Sequence, residues 1–249
     1  MGTLSGKTAL VTGASRGLGR ATATALARRG ASLAITARDQ QALDSLVAEL
    51  RELGTDVLAV SADLGSPRDI ERLVVRTLDH FENVDILVNN ASALGPTPLP
   101  YLVDYPPHLF EAVLDVNVLA PFRLTWSLLG GMLRRGSGVV INITSDVAVH
   151  GYPGWGAYSV SKAALEGLGR TWASELEDTG VRMITLDPGD MDTAMHRAAL
   201  PDDDPTQLTD PITVAEAVAY LAQSTIDPGQ ERLQAASVLA SIPSAAASR

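Results

Sequence analysis

The chain of 249 residues has no cysteine, which excludes disulfides, thiolate nucleophiles and Cys-ligated metal. Positive charge is scarce: 19 Lys and Arg face 29 Asp and Glu, a formal net charge of −10. Nucleic acid and anionic membranes would repel such a molecule, so neither is an expected partner. Lysine occurs only as Lys7 and Lys162, and aromatic residues make up 4%. No uninterrupted apolar run approaches the roughly 20 residues that span a bilayer. The opening Met1 to Lys7 lacks a basic, hydrophobic leader, so the expected compartment is the cytoplasm. What is present is a 46% hydrophobic composition without low complexity. It can bury one substantial core, and a single domain over 1–240 is expected, with a small polar tail over 241–249 that frays.

Apolar runs recur at Thr8 to Val11, Ser32 to Thr36, Val57 to Ser61, Ile86 to Asn89, Val139 to Ile143 and Val181 to Leu186. They are continuous rather than alternating, as in parallel strands buried on both faces. Helix-period stretches lie between them: Leu18 to Arg29, Gln40 to Leu53, Pro67 to Phe81, Phe110 to Arg135, Ala157 to Leu176 and Val214 to Gln223. This alternation predicts an α/β fold, a doubly wound parallel Rossmann-like sheet that binds ligands beyond the C-terminal ends of its strands. A further strand is expected over Glu231 to Val238. Two segments break the rhythm: the proline-rich 95–107 and 191–211, the latter expected as a mobile loop over the site. Its Asp202-Asp203-Asp204 run reads as a solvated acidic loop, and no metal is expected.

Chemistry gathers at strand ends. Directly after the first strand, Thr12-Gly13-Ala14-Ser15-Arg16-Gly17-Leu18-Gly19 opens a helix. Glycines there let the backbone approach a pyrophosphate, and the helix N-terminus supplies free N–H groups. Tyr158 and Lys162 stand four residues apart in a helical stretch, 13 residues after Ser145. On one helix face the ammonium would lower the proton affinity of the phenol and let it pass a proton near neutral pH. Such a pair is also common as surface decoration. The second strand ends Ile35-Thr36-Ala37-Arg38, with no carboxylate at Ala37 to accept from a ribose 2′-hydroxyl. Arg38 and Arg16 could instead grip a 2′-phosphate, which favours NADP(H) and leaves NAD(H) open. Asp39 speaks against this, and Arg38 could be an ordinary solvated residue.

In these motifs the chain resembles the short-chain dehydrogenase/reductase family in its compact form, over nearly its whole length. The resemblance implies a nucleotide loop at Thr12 to Gly19 and an adenine contact at Asp63 with Leu64. It also implies a cofactor-lining Asn90-Ala91, with Ser92 where the family has glycine, and a turn at Pro188, Gly189, Met191 and Thr193 that holds the nicotinamide. It assigns Asn117, Ser145, Tyr158 and Lys162 to catalysis. Ser145 would polarise the reacting oxygen, Tyr158 would transfer its proton, and Lys162 would depress the Tyr158 pKa and hold the nicotinamide ribose. Asn117, beside Pro121, would kink its helix and position a relay water. Simpler readings stay open: Asp63 as a turn acid, Asn90 as a satisfied core amide, Asn117 as a helix-interior amide, Thr193 as a helix cap. A substrate wall of Tyr152, Trp155 and Met195, with Pro153, Leu94 and Met191, is expected but could equally be core. The expected activity is hydride exchange with a small carbonyl or alcohol. A non-catalytic nucleotide-binding regulator, or an epimerase or dehydratase, is the alternative. A homo-oligomer, tetramer or dimer, paired through 110–135 and 157–176, is also implied.

Overall fold

The computed structural model describes residues 3–243. Seven parallel strands form one sheet in the order β3-β2-β1-β4-β5-β6-β7. They are β1 (Thr8–Thr12), β2 (Ser32–Ala37), β3 (Val57–Ser61), β4 (Ile86–Asn89), β5 (Gly138–Ile143), β6 (Val181–Asp187) and β7 (Arg232–Gln234). The helices α1 (Gly17–Arg28), α2 (Gln40–Glu52), α3 (Pro67–Phe81), α4 (Pro107–Leu114), α5 (Ala120–Arg135), α6 (Gly156–Glu175), α7 (Ala194–Ala199), α8 (Pro211–Gln223) and α9 (Ala235–Ser241) cover both faces. Successive β1 residues serve opposite layers. Ala9 and Val11 pack under α1, α2 and α8, whereas Leu10 packs under α3 and α5. Both faces being covered is why the strands are apolar runs without alternation. The chain reverses its winding between the adjacent β1 and β4, and the crevice at such a reversal is where doubly wound sheets take ligands.

Three expectations change. The stretch expected as one helix over 110–135 starts at Pro107 and is split by a π turn over Asp115–Leu119, in which the Ala120 N–H reaches back to the Asp115 carbonyl. Pro121 has no N–H to give the Asn117 carbonyl, and the wider turn absorbs that loss. The whole segment 107–135 is long and apolar enough by length and composition to cross a membrane, with a mean hydropathy of 1.2 over its best window. Asp115, Asn117 and Arg123 interrupt its apolar run. The C-terminal strand is cut to Arg232–Gln234, because Ala235-Ala236-Ser237-Val238-Leu239 carries helix formers and buries Ala235 and Val238 one turn apart as α9. Ser241 therefore ends a helix, and the rest of the expected frayed tail, 244–249, lies outside the described residues.

The segment 191–211, expected as a loop, contains α7, capped by Thr193, and a 3₁₀ turn capped by Asp204. Met191 pairs with Thr209 in an isolated bridge, and His196 Nε2 lies 2.9 Å from Asp203 Oδ2. Two of the three consecutive carboxylates thus tie the segment to itself.

Candidate active site

A cleft of about 650 Å³ opens over the C-terminal ends of β1, β4 and β5, a size suited to a cofactor-scale ligand. Its first wall is backbone. Gly13 and Gly17 have φ of +67° and +54°, a region that penalises a side chain. A Cβ on Gly13 would lie 2.9 Å from Ala91 Cα, and one on Gly19 would overlap the Gly13 carbonyl oxygen. The Thr12 hydroxyl donates to the Val88 carbonyl at 3.0 Å and accepts the Asn90 and Ala91 N–H groups at 2.9 and 3.0 Å. Asn90 Nδ2 donates to the Thr12 carbonyl at 2.8 Å. The loops after β1 and β4 are thereby locked together under the α1 N-terminus. Thr12 does this from behind the cleft, whereas Gly13, Ser15, Arg16, Gly17, Leu18, Gly19, Arg38, Asp63, Leu64, Asn90, Ala91, Pro188, Met191 and Thr193 line it. Gly189 lies just outside.

The simpler readings prove compatible with lining. Asp63 Oδ1 accepts the Gly65 N–H at 3.0 Å in a tight turn. Thr193 caps α7 through the His196 N–H at 3.2 Å while its methyl group faces Gly17. Asp39, the residue against a 2′-phosphate, is occupied as the N-cap of α2, where it accepts the Ala42 N–H at 3.0 Å. A turn without obstructing side chains, a free helix N-terminus and two exposed guanidiniums fit a phosphorylated dinucleotide.

The opposite wall is side chain. Tyr158 and Lys162 sit on the buried face of α6, with Lys162 Nζ 5.4 Å from the Tyr158 ring centroid and donating to the Ile143 carbonyl at 2.8 Å. Lys162 is 2% exposed and Tyr158 8%. The expected depression of the tyrosine is corrected: burial pushes the Tyr158 phenol up to about 12 and the Lys162 ammonium down to about 8. In each case desolvation disfavours the charged form. The Ser92 hydroxyl works against this rise at Tyr158, while the Asp146 and Asp187 carboxylates add to it.

Asn117 is buried and satisfied. Its Oδ1 accepts the Ala93 N–H at 2.7 Å, and its Nδ2 donates to the Ala93 carbonyl and Ser161 Oγ, both at 2.9 Å. The side chain is a brace between the post-β4 loop and α6; only its backbone carbonyl is freed by Pro121. Ser145 begins a 3₁₀ turn after β5. Of the expected substrate wall, the Trp155 ring lies 5.7 Å from that of Tyr158, Met195 lines the cleft, and Tyr152 stands exposed at the rim.

Sequence reasoning missed a buried ion network. Arg232 donates to Glu166 Oε1 at 2.9 Å and to Asp187 Oδ2 at 2.7 Å, and Thr144 Oγ1 donates to Glu166 Oε1 at 2.8 Å. Asp187 Oδ1 accepts the Gly189 N–H at 3.0 Å. The network ties the Pro188-Gly189 turn, β7 and α6 together one turn beyond Lys162. Its side-chain bonds join residues 22 to 66 apart in sequence, from Thr144–Glu166 to Glu166–Arg232, and no local pattern announces them.

The sequence profile described as short chain dehydrogenase matches residues 7–204. Among characterised relatives, a 3-oxoacyl-[acyl-carrier-protein] reductase of Synechocystis sp. is 39% identical over 196 residues, 78% of each chain. Two solved structures are similar throughout. An alcohol dehydrogenase from Thermococcus sibiricus, complexed with 5-hydroxy-NADP, superimposes with a TM-score of 0.82 at 34% identity, covering 92% of this chain and 95% of that one. A metagenomic short-chain oxidoreductase in complex with NADP gives 0.80 at 31%, covering 93% and 98%.

Proposed function

This chain belongs to the short-chain dehydrogenase family, and from that premise we propose an NADP(H)-preferring oxidoreductase in which Tyr158 moves the proton of a carbonyl or alcohol substrate. The observation that carries the reading is the buried Tyr158–Lys162 pair facing the cleft, opposite a glycine wall with no room for side chains. When bound, a nicotinamide nucleotide supplies or accepts hydride. Gly13, Gly17 and Gly19 leave its phosphates access to backbone N–H groups, and Arg16 and Arg38 pair with a 2′-phosphate. The relatives bound to NADP and 5-hydroxy-NADP support that choice.

The residues of the chain manage the reacting oxygen. Ser145 donates a hydrogen bond to it where charge develops. Tyr158, holding its proton up to about 12, is protonated at neutral pH and so is poised to donate, the role that carbonyl reduction needs. Alcohol oxidation needs the phenolate, so its rate climbs as pH rises. Lys162, anchored on the Ile143 carbonyl, holds the phenol in place and reaches the ribose side of the cleft. Incubating the protein with a panel of ketones and aldehydes while following NADPH and NADH absorbance tests the assignment. Turnover that persists in Tyr158→Phe refutes it.

We extend the proposal to self-association through α5 and α6. Leu119, Phe122, Trp126, Leu133 and Val160 are exposed on this side, Trp126 to 71%, and Phe122 stacks on Trp172 at 5.5 Å. Large apolar side chains left exposed on α5 and α6 are the kind of surface that an interface covers. Light scattering that returns a monomer at micromolar concentration would remove this part.

A further inference from the structure

The Ser145 hydroxyl has a single proton to give, and that proton is already engaged. Ser145 Oγ donates to Asp146 Oδ1 at 3.0 Å and accepts the Val147 N–H at 3.4 Å. The other carboxylate oxygen, Oδ2, accepts from the Tyr152 hydroxyl at 3.0 Å. An ionised carboxylate only accepts, so neither bond can run in the opposite sense. Yet in both directions of the proposed reaction Ser145 must donate to the substrate oxygen.

A plain ketone has to draw the serine proton away and leave Asp146 Oδ1 without its charge-assisted bond, in a half-buried position where that loss is costly. A substrate with a donor on the neighbouring carbon brings the replacement with it. Oxygens on adjacent carbons in a gauche arrangement stand at hydrogen-bond spacing, as Ser145 Oγ and Asp146 Oδ1 do. The carbonyl oxygen can then take the serine proton while the adjacent hydroxyl or ammonium donates to Oδ1. Tyr152, bonded to Oδ2, ties down the other end of the carboxylate.

We propose that Asp146 is a specificity-determining residue that selects substrates carrying a hydrogen-bond donor on the carbon next to the reacting one, such as α-hydroxy ketones with their vicinal diols, or α-ammonium ketones. This rests on the reading of Ser145 as the donor to substrate.

The test uses the matched series acetophenone, α-hydroxyacetophenone and α-aminoacetophenone, each substituent on the carbon next to the carbonyl, with the wild type and with Asp146→Ala and Asp146→Asn. The wild type should favour the donor-bearing ketones by about tenfold or more in kcat/KM, mainly through KM, the scale of one hydrogen bond to a charged group. Asp146→Ala should erase the preference, the three ketones converging on a common kcat/KM whatever its absolute value. Asp146→Asn, which keeps an acceptor oxygen and loses the charge, should retain part of the hydroxyl preference and lose the ammonium preference. Calorimetry on the enzyme–NADPH complex, in which neither 1-phenylethane-1,2-diol nor 1-phenylethanol can give up hydride, reads the same selection without turnover. Equal affinity for the two alcohols, no measurable binding of the diol, or an unchanged preference in Asp146→Ala overturns the proposal. The parent reading fails separately, if Ser145→Ala turns over acetophenone as fast as the wild type.

Discussion

The two walls of the cleft are built from different material. On the nucleotide side, glycine backbone, the α1 N-terminus and the Thr12–Asn90 lock make a surface in which nearly every contact is main chain or one residue away from it. On the opposite side, Tyr158 and Lys162 are side chains carried by α6, with Ser145 and Asp146 in the turn that follows the cleft-lining Thr144, braced by Asn117 and by the distant Arg232. Any phosphorylated dinucleotide can use the first wall, because it recognises a feature all of them share. The second, to which we assign the proton chemistry and the choice of substrate, has properties that depend on burial and on partners far away in sequence.

The comparison can be broken most severely at the substrate wall. Tyr158→Phe should reduce turnover by at least about a thousandfold while nucleotide affinity stays within about twofold of wild type. Steady-state kinetics beside calorimetry would separate the two effects. Equal losses in both would mean that the walls are not independent.

Arg232→Ala tests the long-range brace. It takes the cation from Asp187 and leaves Glu166 only the exposed Arg170 at 3.6 Å, both carboxylates being nearly fully buried, and removing one member of such a pair costs about 3–5 kcal/mol. A markedly lower Tm is expected, partly recovered when Glu166→Gln is added. A Tm unchanged by Arg232→Ala would remove the network from any structural role.

At the nucleotide wall, Gly19→Val should abolish nucleotide binding and leave the unliganded fold weaker by about 1–3 kcal/mol, the usual range for overpacking. The Gly13 carbonyl and Asn90 amide that the new side chain meets cannot retreat without opening the Thr12–Asn90 lock. Arg38→Ala is a finer probe. It should weaken NADP(H) by about 10–100-fold and leave NAD(H) unaffected, the signature of one lost charge-assisted contact to a phosphate. Parallel losses for both nucleotides would place Arg38 elsewhere.

The smallest effect is expected at Ser92, where the two walls meet. Its hydroxyl opposes the rise of the Tyr158 pKa, so Ser92→Ala should move the alkaline limb of the pH profile further up. In the oxidising direction, which needs phenolate, that means a slower rate at fixed pH, by less than about tenfold. In the reducing direction the fall at high pH should come later. A downward shift would contradict the assigned role.

Most of the nucleotide wall was legible before any coordinates. Gly13, Gly17 and Gly19 stand there because of local backbone geometry, and a local constraint leaves a local pattern. Tyr158 and Lys162 were legible as a pair for the same reason, since i and i+4 share a helix face. Their protonation was not. The spacing suggests an ammonium lowering a phenol, but depth of burial decides the sign, and burial is a property of everything packed around α6. The π turn at Asn117 was half legible through Pro121, whereas the shortened β7 and the helix after it depended on what their apolar residues could pack against.

The amino-acid sequence by itself determined the doubly wound sheet, the glycine turn that opens α1 and the pairing of Tyr158 with Lys162 on one helix face, because each follows from periodicity or spacing within a few residues. Only the tertiary structure decided that Asp146 holds the Ser145 proton, that Arg232 braces the Pro188-Gly189 turn, and that Tyr158 is held protonated. Those outcomes depend on which side chains meet across the fold and how much water remains between them, and neither quantity is written in any short stretch of chain.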